Sequence, residues 1–238
     1  MKETKISWTD STWNPVTGCT RVSEGCRNCY AEAIARKFSA AFPEGFSVAI
    51  RPNAMYLPKK WTARRIFVNS MSDLFHADIP EDYLRHVWQV MLDTPQHTYQ
   101  VLTKRPEVAE ERISRLGLDL APNIWLGVTA ENQRCADLRL PILSRIPAPI
   151  RFVSAEPLLG PLALGDNLSW LNWVIVGGES GANRRPMNLD WARSLRDECL
   201  EARVSLFYKQ GNGFRPGSEP TLDGVEHHLF PAPAAMLC

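Results

Sequence analysis

Cys19, Cys26 and Cys29 fall within eleven residues, in the loop Gly18-Cys19-Thr20-Arg21-Val22-Ser23-Glu24-Gly25-Cys26-Arg27-Asn28-Cys29-Tyr30, and a helix-forming run follows at once. Three thiolates so close in sequence can grip one soft metal centre, and a three-ligand grip leaves a coordination position open for chemistry. A chain of 238 residues is too long to need disulfide staples, so its clustered cysteines point to metal binding or redox chemistry in a reducing compartment. The expected location is the cytoplasm. A zinc knuckle completed by a fourth ligand is the alternative, with His76 the nearest candidate. His76 is otherwise expected to be an exposed loop histidine and the pair His227-His228 to be solvated. Of the remaining cysteines, Cys199 shares a helical face with Trp191 and Leu195, and Cys135 shares one with Leu138 and Ile142, so both are expected to be core thiols. Cys238 ends a Pro/Ala-rich tail and is expected to be incidental.

A loop of this kind needs a scaffold, and the chain is long enough to bury a substantial core. Its formal net charge of +1 means that any nucleic-acid binding must come from a local patch. No apolar run approaches the roughly 18 residues of a membrane span. The start, Met1-Lys2-Glu3-Thr4-Lys5 leading into Ile6-Ser7-Trp8-Thr9, lacks a signal-peptide core, so a soluble protein with no membrane partner is expected.

Short apolar, β-branched runs that end in polar residues alternate with helical segments. The predicted strands are 65–70, 99–104, 124–129, 151–154, 173–178 and 205–209, with an earlier one near Ile6 to Thr9. Predicted helices cover 30–38, 80–93 (Leu84, Val87, Trp88 and Met91 on one face), 106–116 and about 188–202, the last capped by Asn188 or Asp190. Two prolines in Glu156-Pro157-Leu158-Leu159-Gly160-Pro161 predict an irregular crossover there. Nearly continuous apolar strands separated by helices imply a parallel sheet covered by helices. About seven of them make a single α/β domain, a partial or near-complete parallel (β/α) barrel, the expected architecture; an open doubly wound sheet is the alternative. The barrel is expected over 1–212, with the cysteine loop at 18–30, and a C-terminal tail or cap over 213–238.

In either architecture ligands collect at the carboxyl ends of the strands. That rule selects Asn69, Ser70, Ser72 and Asp73; Thr103, Lys104 and Arg105; Thr129, Glu131 and Asn132; Ser154 and Glu156; Gly177, Gly178, Glu179 and Ser180; and Lys209 and Gln210. Among them Ser70, Ser72, Asp73, Lys104, Arg105, Thr129, Glu131, Glu156, Gly177, Gly178 and Glu179 are the expected cofactor-binding positions. Asp73 brings a negative charge there, and Lys104 and Arg105 bring positive ones.

The cysteine loop, placed after the first strand and before a helix, resembles that of the radical S-adenosylmethionine (radical SAM) superfamily. The narrower resemblance is to the phage-type three-cysteine proteins of unassigned function. It rests on Asn14-Pro15-Val16-Thr17-Gly18-Cys19, Gly25-Cys26-Arg27-Asn28-Cys29-Tyr30-Ala31, Val68-Asn69-Ser70-Met71-Ser72-Asp73-Leu74-Phe75-His76 and Gln100-Val101-Leu102-Thr103-Lys104-Arg105-Pro106. It continues through Asn123-Ile124-Trp125-Leu126-Gly127-Val128, Phe152-Val153-Ser154-Ala155-Glu156-Pro157-Leu158-Leu159-Gly160 and Val174-Ile175-Val176-Gly177-Gly178-Glu179-Ser180-Gly181. The resemblance implies a 4Fe-4S cluster on Cys19, Cys26 and Cys29, S-adenosyl-L-methionine as second cofactor, radical hydrogen abstraction as reaction class, and an electron donor protein as partner. This chain departs from the broad pattern: six residues separate its first two cysteines, Asn28 precedes Cys29, and Gly177-Gly178-Glu179 lies near the sixth strand instead of the second.

Basic residues come in pairs, Lys59-Lys60, Arg64-Arg65, Lys104-Arg105 and Arg184-Arg185. If several ring the strand-end face, they could follow a phosphate backbone while Trp61, Trp125 or Tyr30 stacks on bases. The expected substrate is therefore a nucleic-acid base or nucleotide, in modification or repair. The rivals are a zinc-stabilised nucleic-acid-binding or adaptor protein without catalysis, and a metal-dependent barrel hydrolase using Glu131, Glu156 and Glu179.

Overall fold

The computed structural model describes residues 4–232. In chain order the elements are β1 (Ser11–Trp13), β2 (Val16–Thr17), α1 (Tyr30–Lys37), β3 (Ala49–Ile50), β4 (Arg65–Val68), α2 (Glu81–Leu92) and β5 (Thr98–Thr103). There follow α3 (Pro106–Leu116), β6 (Ile124–Thr129), α4 (Gln133–Arg145), β7 (Ile150–Ala155), β8 (Trp173–Gly177), α5 (Leu189–Ala202) and β9 (Ser205–Gln210). Seven strands form one sheet in the order β1-β4-β5-β6-β7-β8-β9, and every neighbouring pair is parallel. Strands laid down in sequence order, each crossover returning over the same face, curl the sheet into a partial barrel. The short antiparallel pair β2 and β3 stands beside it.

Alternation along the strands divides the apolar side chains between two cores. Val174 and Val176 join the large core under the helices, with Val101, Leu126, Val153 and Leu206. Trp173 and Ile175 point to the concave face, where Phe67, Trp125, Phe152 and Phe207 meet Trp8. Trp173 is the hub of this inner core, with ring centroids of Phe152, Trp125 and Trp8 at 5.5, 5.9 and 6.1 Å. The barrel interior is thus packed with rings, and its chemistry is left to the rim. The chain returns along the far edge: His227 and Leu229 bond to Tyr208 and Leu206 in β9, which seats Phe230 5.3 Å from Trp173.

Helices α2, α3 and α5 match the spans predicted from periodicity to within two residues, and Asn188 accepts from the Asp190 amide at the start of α5. The crossover from β7 to β8 holds only a 3-10 turn at Gly165–Ser169, as its prolines require. Three expectations are corrected. Residues Ile6 to Thr9 form a turn, because Trp8 is inserted into the concave face and its carbonyl accepts from Gln100 Nε2 at 3.1 Å; the first strand is Ser11–Trp13. The buried face of α4 is Ala136, Arg139, Leu140 and Leu143, which leaves Leu138 61% exposed and Cys135 half-buried. That face is set by the Asn132 cap and by Arg139, which reaches back to the end of β6. Cys199, by contrast, is a core thiol. His76 is buried, and Cys238 lies outside the described residues. No helix among the described residues is long and apolar enough to cross a membrane.

Candidate functional site

The cysteine loop begins with a close approach of two backbones. Gly18 donates to the Met71 carbonyl at 2.9 Å and sits at φ +84°, and a Cβ there would collide with the Ser47 carbonyl. Only glycine fits both the dihedral and the space. The next residue, Cys19, donates its amide to the Phe46 carbonyl at 3.1 Å. Glu24–Cys26 forms a 3-10 turn, and Cys29 occupies the N-cap position of α1. All three loop thiols are partly exposed.

Charged groups from four strand ends hold this loop. From the β5 end, Arg105 directs Nη1 to Cys19 Sγ at 3.5 Å and Nη2 to the Thr20 carbonyl and hydroxyl, each at 2.9 Å. Asp73, after β4, holds Arg105 at 3.1 Å, and its oxygens also accept from the Phe75 and Lys104 amides and the Thr103 hydroxyl. The wholly buried Glu131, after β6, accepts from Ser23 Oγ and from Arg139 Nη1 at 2.7 Å, with Lys104 Nζ 3.8 Å away. Glu179, after β8, accepts from Asn28 Nδ2 at 3.0 Å and is clamped by the Arg185 guanidinium, which also donates to the Glu24 carbonyl. Tyr30 closes the ring by donating to the Ser70 carbonyl at 2.6 Å.

These contacts set the electrostatics. Burial pushes the Cys26 thiol up, but the nearby Lys104 charge and hydrogen bonds from Val22 and Ser23 outweigh it, so its pKa lies below the ordinary value. Burial dominates at Cys19 and raises it against the pull of Arg105. Burial also opposes ionisation of Glu131, yet Lys104 and Arg139 bring it down to about 2. Cys135 and Cys199 are pushed up by burial to about 11 and about 12, so both stay protonated.

The other strand-end residues lie apart from this ring. Glu156 faces the concave side, with Lys209 Nζ at 2.9 Å and the Trp8 indole donating at 3.3 Å. Gly177 leaves room for its carboxylate and Gly178 for Asn212. Ser70 bonds to Asn14, Thr129 is buried with its carbonyl taken by Arg139, and the buried Ser72 hydroxyl has no partner among the described residues. Among the described residues no three His, Cys, Asp or Glu side chains are gathered as they would have to be around a single metal ion. His76, the fourth ligand expected of a zinc knuckle, is engaged otherwise: Nε2 is bonded to the Thr20 hydroxyl at 2.8 Å, and Nδ1 accepts from the Asp78 amide. The hydrolase arrangement is equally dispersed, since Glu131, Glu156 and Glu179 each have their own cation.

Of the basic pairs, Lys104-Arg105 and Arg184-Arg185 stand at the rim, where Arg105 is bound to Asp73 and Arg185 to Glu179, and Arg64-Arg65 does not. Arg64-Arg65 opens β4 at the amino end of the sheet, and Arg65 is bound to Asp10. Trp125 is buried and unable to stack on a base. Sequence reasoning missed Ser23, Asn28, Arg139 and Trp8; the Asn28-to-Glu179 bond spans 151 residues, and no local pattern announces it.

Gly25 rests directly on Glu131, and a Cβ there would collide with its carboxylate. Gly25→Ala is expected to push the turn that carries Cys26 off its seat. Iron bound per chain after anaerobic reconstitution should fall at least severalfold while circular dichroism stays native. Full iron loading would show that this packing does not matter.

A solved structure, spore photoproduct lyase complexed with dinucleoside spore photoproduct, has the same fold at a TM-score of 0.53 and 12% identity, covering 85% of this chain. The present chain spans 64% of the length of that protein. A search of curated proteins finds no match. Residues 3–230 match the family described as "protein of unknown function (DUF5131)", and the chain belongs to that family.

Proposed function

We propose that this family member is an iron-sulfur enzyme of the radical SAM type that acts on a nucleic-acid base or nucleotide. One observation carries the reading: three thiols in a single loop stand over the carboxyl ends of a partial parallel barrel, with the Arg105 guanidinium against one and the Lys104 charge beside another. The donor set fits a 4Fe-4S cluster better than a single ion. On a cluster each thiolate takes its own iron, so the sulfurs surround a volume and need not converge, whereas zinc draws its ligands to one point. Cys19, Cys26 and Cys29 would hold the cluster, and Arg105 and Lys104 supply the positive surroundings that thiolates and an anionic cluster require.

Together with S-adenosyl-L-methionine the bound group supplies one-electron chemistry that ends in hydrogen abstraction from the substrate. The rest falls to this chain. Asp73, Glu131 and Glu179 have their oxygens committed to Arg105, Arg139 and Arg185, so we assign them to holding the loop. Lys104, whose nearest carboxylate oxygen is 3.8 Å away, and Ser72, with its unpartnered hydroxyl, retain capacity for a ligand and are our choice for S-adenosyl-L-methionine contacts. The ring-packed interior excludes water beneath the site. The nucleic-acid part of the reading draws support from the dinucleoside held by the structurally similar lyase. An electron donor protein completes the proposed system.

The test is anaerobic incubation of reconstituted protein with dithionite and S-adenosyl-L-methionine, followed by chromatography for 5′-deoxyadenosine. Slow formation without substrate, accelerated by the right DNA or RNA, is expected. A cluster-loaded protein that binds S-adenosyl-L-methionine yet forms none with dithionite or with titanium(III) citrate defeats the proposal.

A further inference from the structure

Charge is distributed unevenly along this nearly neutral chain. From the start of α1 to the residue before β4, positions 30–64 carry six Lys or Arg against two Glu, a net +4, while the whole chain is +1. The same stretch leaves large rings in solvent: Phe38 is 54% exposed and Tyr56 55%. Each has a cation over its face, Lys37 on Phe38 and Lys59 on Tyr56, both at 5.6 Å; Arg51 lies 5.8 Å from the Phe42 centroid and Arg64 5.6 Å from that of Trp61.

The stretch lines one flank of the barrel, along the edge strand β1. Trp13 Nε1 donates to the Ala54 carbonyl at 2.7 Å, Arg51 binds the Pro15 carbonyl and the Thr17 hydroxyl, and Arg64 reaches Ser11. Its upper end touches the cysteine loop, where the Cys19 amide meets Phe46. Among the described residues no strand lies beyond β1, so this flank leads from solvent to the rim.

We infer that this flank binds a single nucleic-acid strand and delivers one base to the cysteine loop, an inference that rests on the nucleic-acid reading above. An exposed ring offers a stacking face to any unpaired base, and the cation beside it meets the adjoining phosphate. Three of the cations already have carboxylate partners, in Arg36–Glu32, Arg51–Glu44 and Lys59–Asp93. Such solvent-exposed pairs are worth about 0–1 kcal/mol and exchange readily for phosphate. Lys37 and Lys60 have no ion-pair partner among the described residues. A duplex keeps its bases stacked on each other and leaves the rings unused, which is why the flank favours a single strand.

The experiment is fluorescence anisotropy of a 5′-fluorescein 20-mer DNA single strand with the full-length reconstituted protein, over a salt series. The Lys37→Glu/Lys60→Glu variant should lower the log-log salt slope by about 1.4, at about 0.7 per phosphate contact. Phe38→Ala and Tyr56→Ala should each weaken binding about five- to a hundredfold with the slope unchanged. Affinity unaltered by all four substitutions overturns the inference, as does equal competition by a duplex of the same length or displacement of the strand by anionic phospholipid vesicles. The two proposals fail separately. Wild-type protein that forms 5′-deoxyadenosine but binds the strand as well as its variants do defeats this surface alone. Protein that behaves as expected in anisotropy but never forms 5′-deoxyadenosine defeats the enzymatic reading alone.

Discussion

Replacement of Cys19, Cys26 or Cys29 by alanine is expected to abolish iron-sulfur loading outright, while Cys135→Ala and Cys199→Ala leave it intact. Anaerobically prepared wild-type protein should be brown, with broad absorption near roughly 400 nm and about four irons and four sulfides per chain. The contrast among the cysteines has a physical basis. The loop thiols are partly exposed and sit among Arg105, Lys104 and the backbone amides of the loop. Cys199 is wholly buried in apolar surroundings under α5 and Cys135 lies on α4 against Glu131, so neither thiol belongs to the loop, and burial raises both. Cys199→Ala should therefore cost about 1 kcal/mol of packing, read from urea unfolding, and no iron. Zinc at one per chain without sulfide, or equal iron loss across all five variants, would sink the assignment.

The second large effect is expected at Arg105. Its guanidinium joins Cys19, Thr20 and Asp73, and the Arg105 and Asp73 side chains are only 9% and 7% exposed. Removing one member of a buried pair strands the other charge, so Arg105→Ala should destabilise the protein by about 3–5 kcal/mol and release the first cysteine from its seat. Arg105→Lys should not rescue it, because a single ammonium cannot span three partners in a plane. Arg105→Ala/Asp73→Ala should be clearly less harmful than the sum of the single changes, since the stranded carboxylate is then absent. Chemical denaturation of wild type, Arg105→Ala, Arg105→Lys, Asp73→Ala and the double variant, with iron analysis in parallel, decides it. A loss below about 1 kcal/mol with full iron would mean that the contact is incidental.

Much of the fold was legible because it is written in local pattern. Apolar runs such as 124–129 and 173–177 became strands with every residue buried. The helical stripe Leu84, Val87, Trp88 and Met91 became the buried face of α2. Patterns failed where a local preference lost to a tertiary one. Ile6 to Thr9 looks like a strand, but Trp8 fills the concave face and the segment turns; Ser11–Trp13, polar and short, pairs with β4 instead. On α4 the apparent stripe through Cys135 and Leu138 yields to the reach of Arg139 toward Glu131.

The sequence by itself determined the parallel α/β scaffold, the cysteine loop and the loop's place at the strand ends, since hydrophobic periodicity and chain order depend only on near neighbours. Tertiary structure alone decided what the charges do. Asp73, Glu131 and Glu179 look alike as polar groups after strands, yet each is spent holding the cysteine loop through Arg105, Ser23 or Asn28, across 32, 108 and 151 residues. A carboxylate buried in low dielectric must find a cation or donor wherever the fold brings one, and sequence distance places no limit on which partner that is.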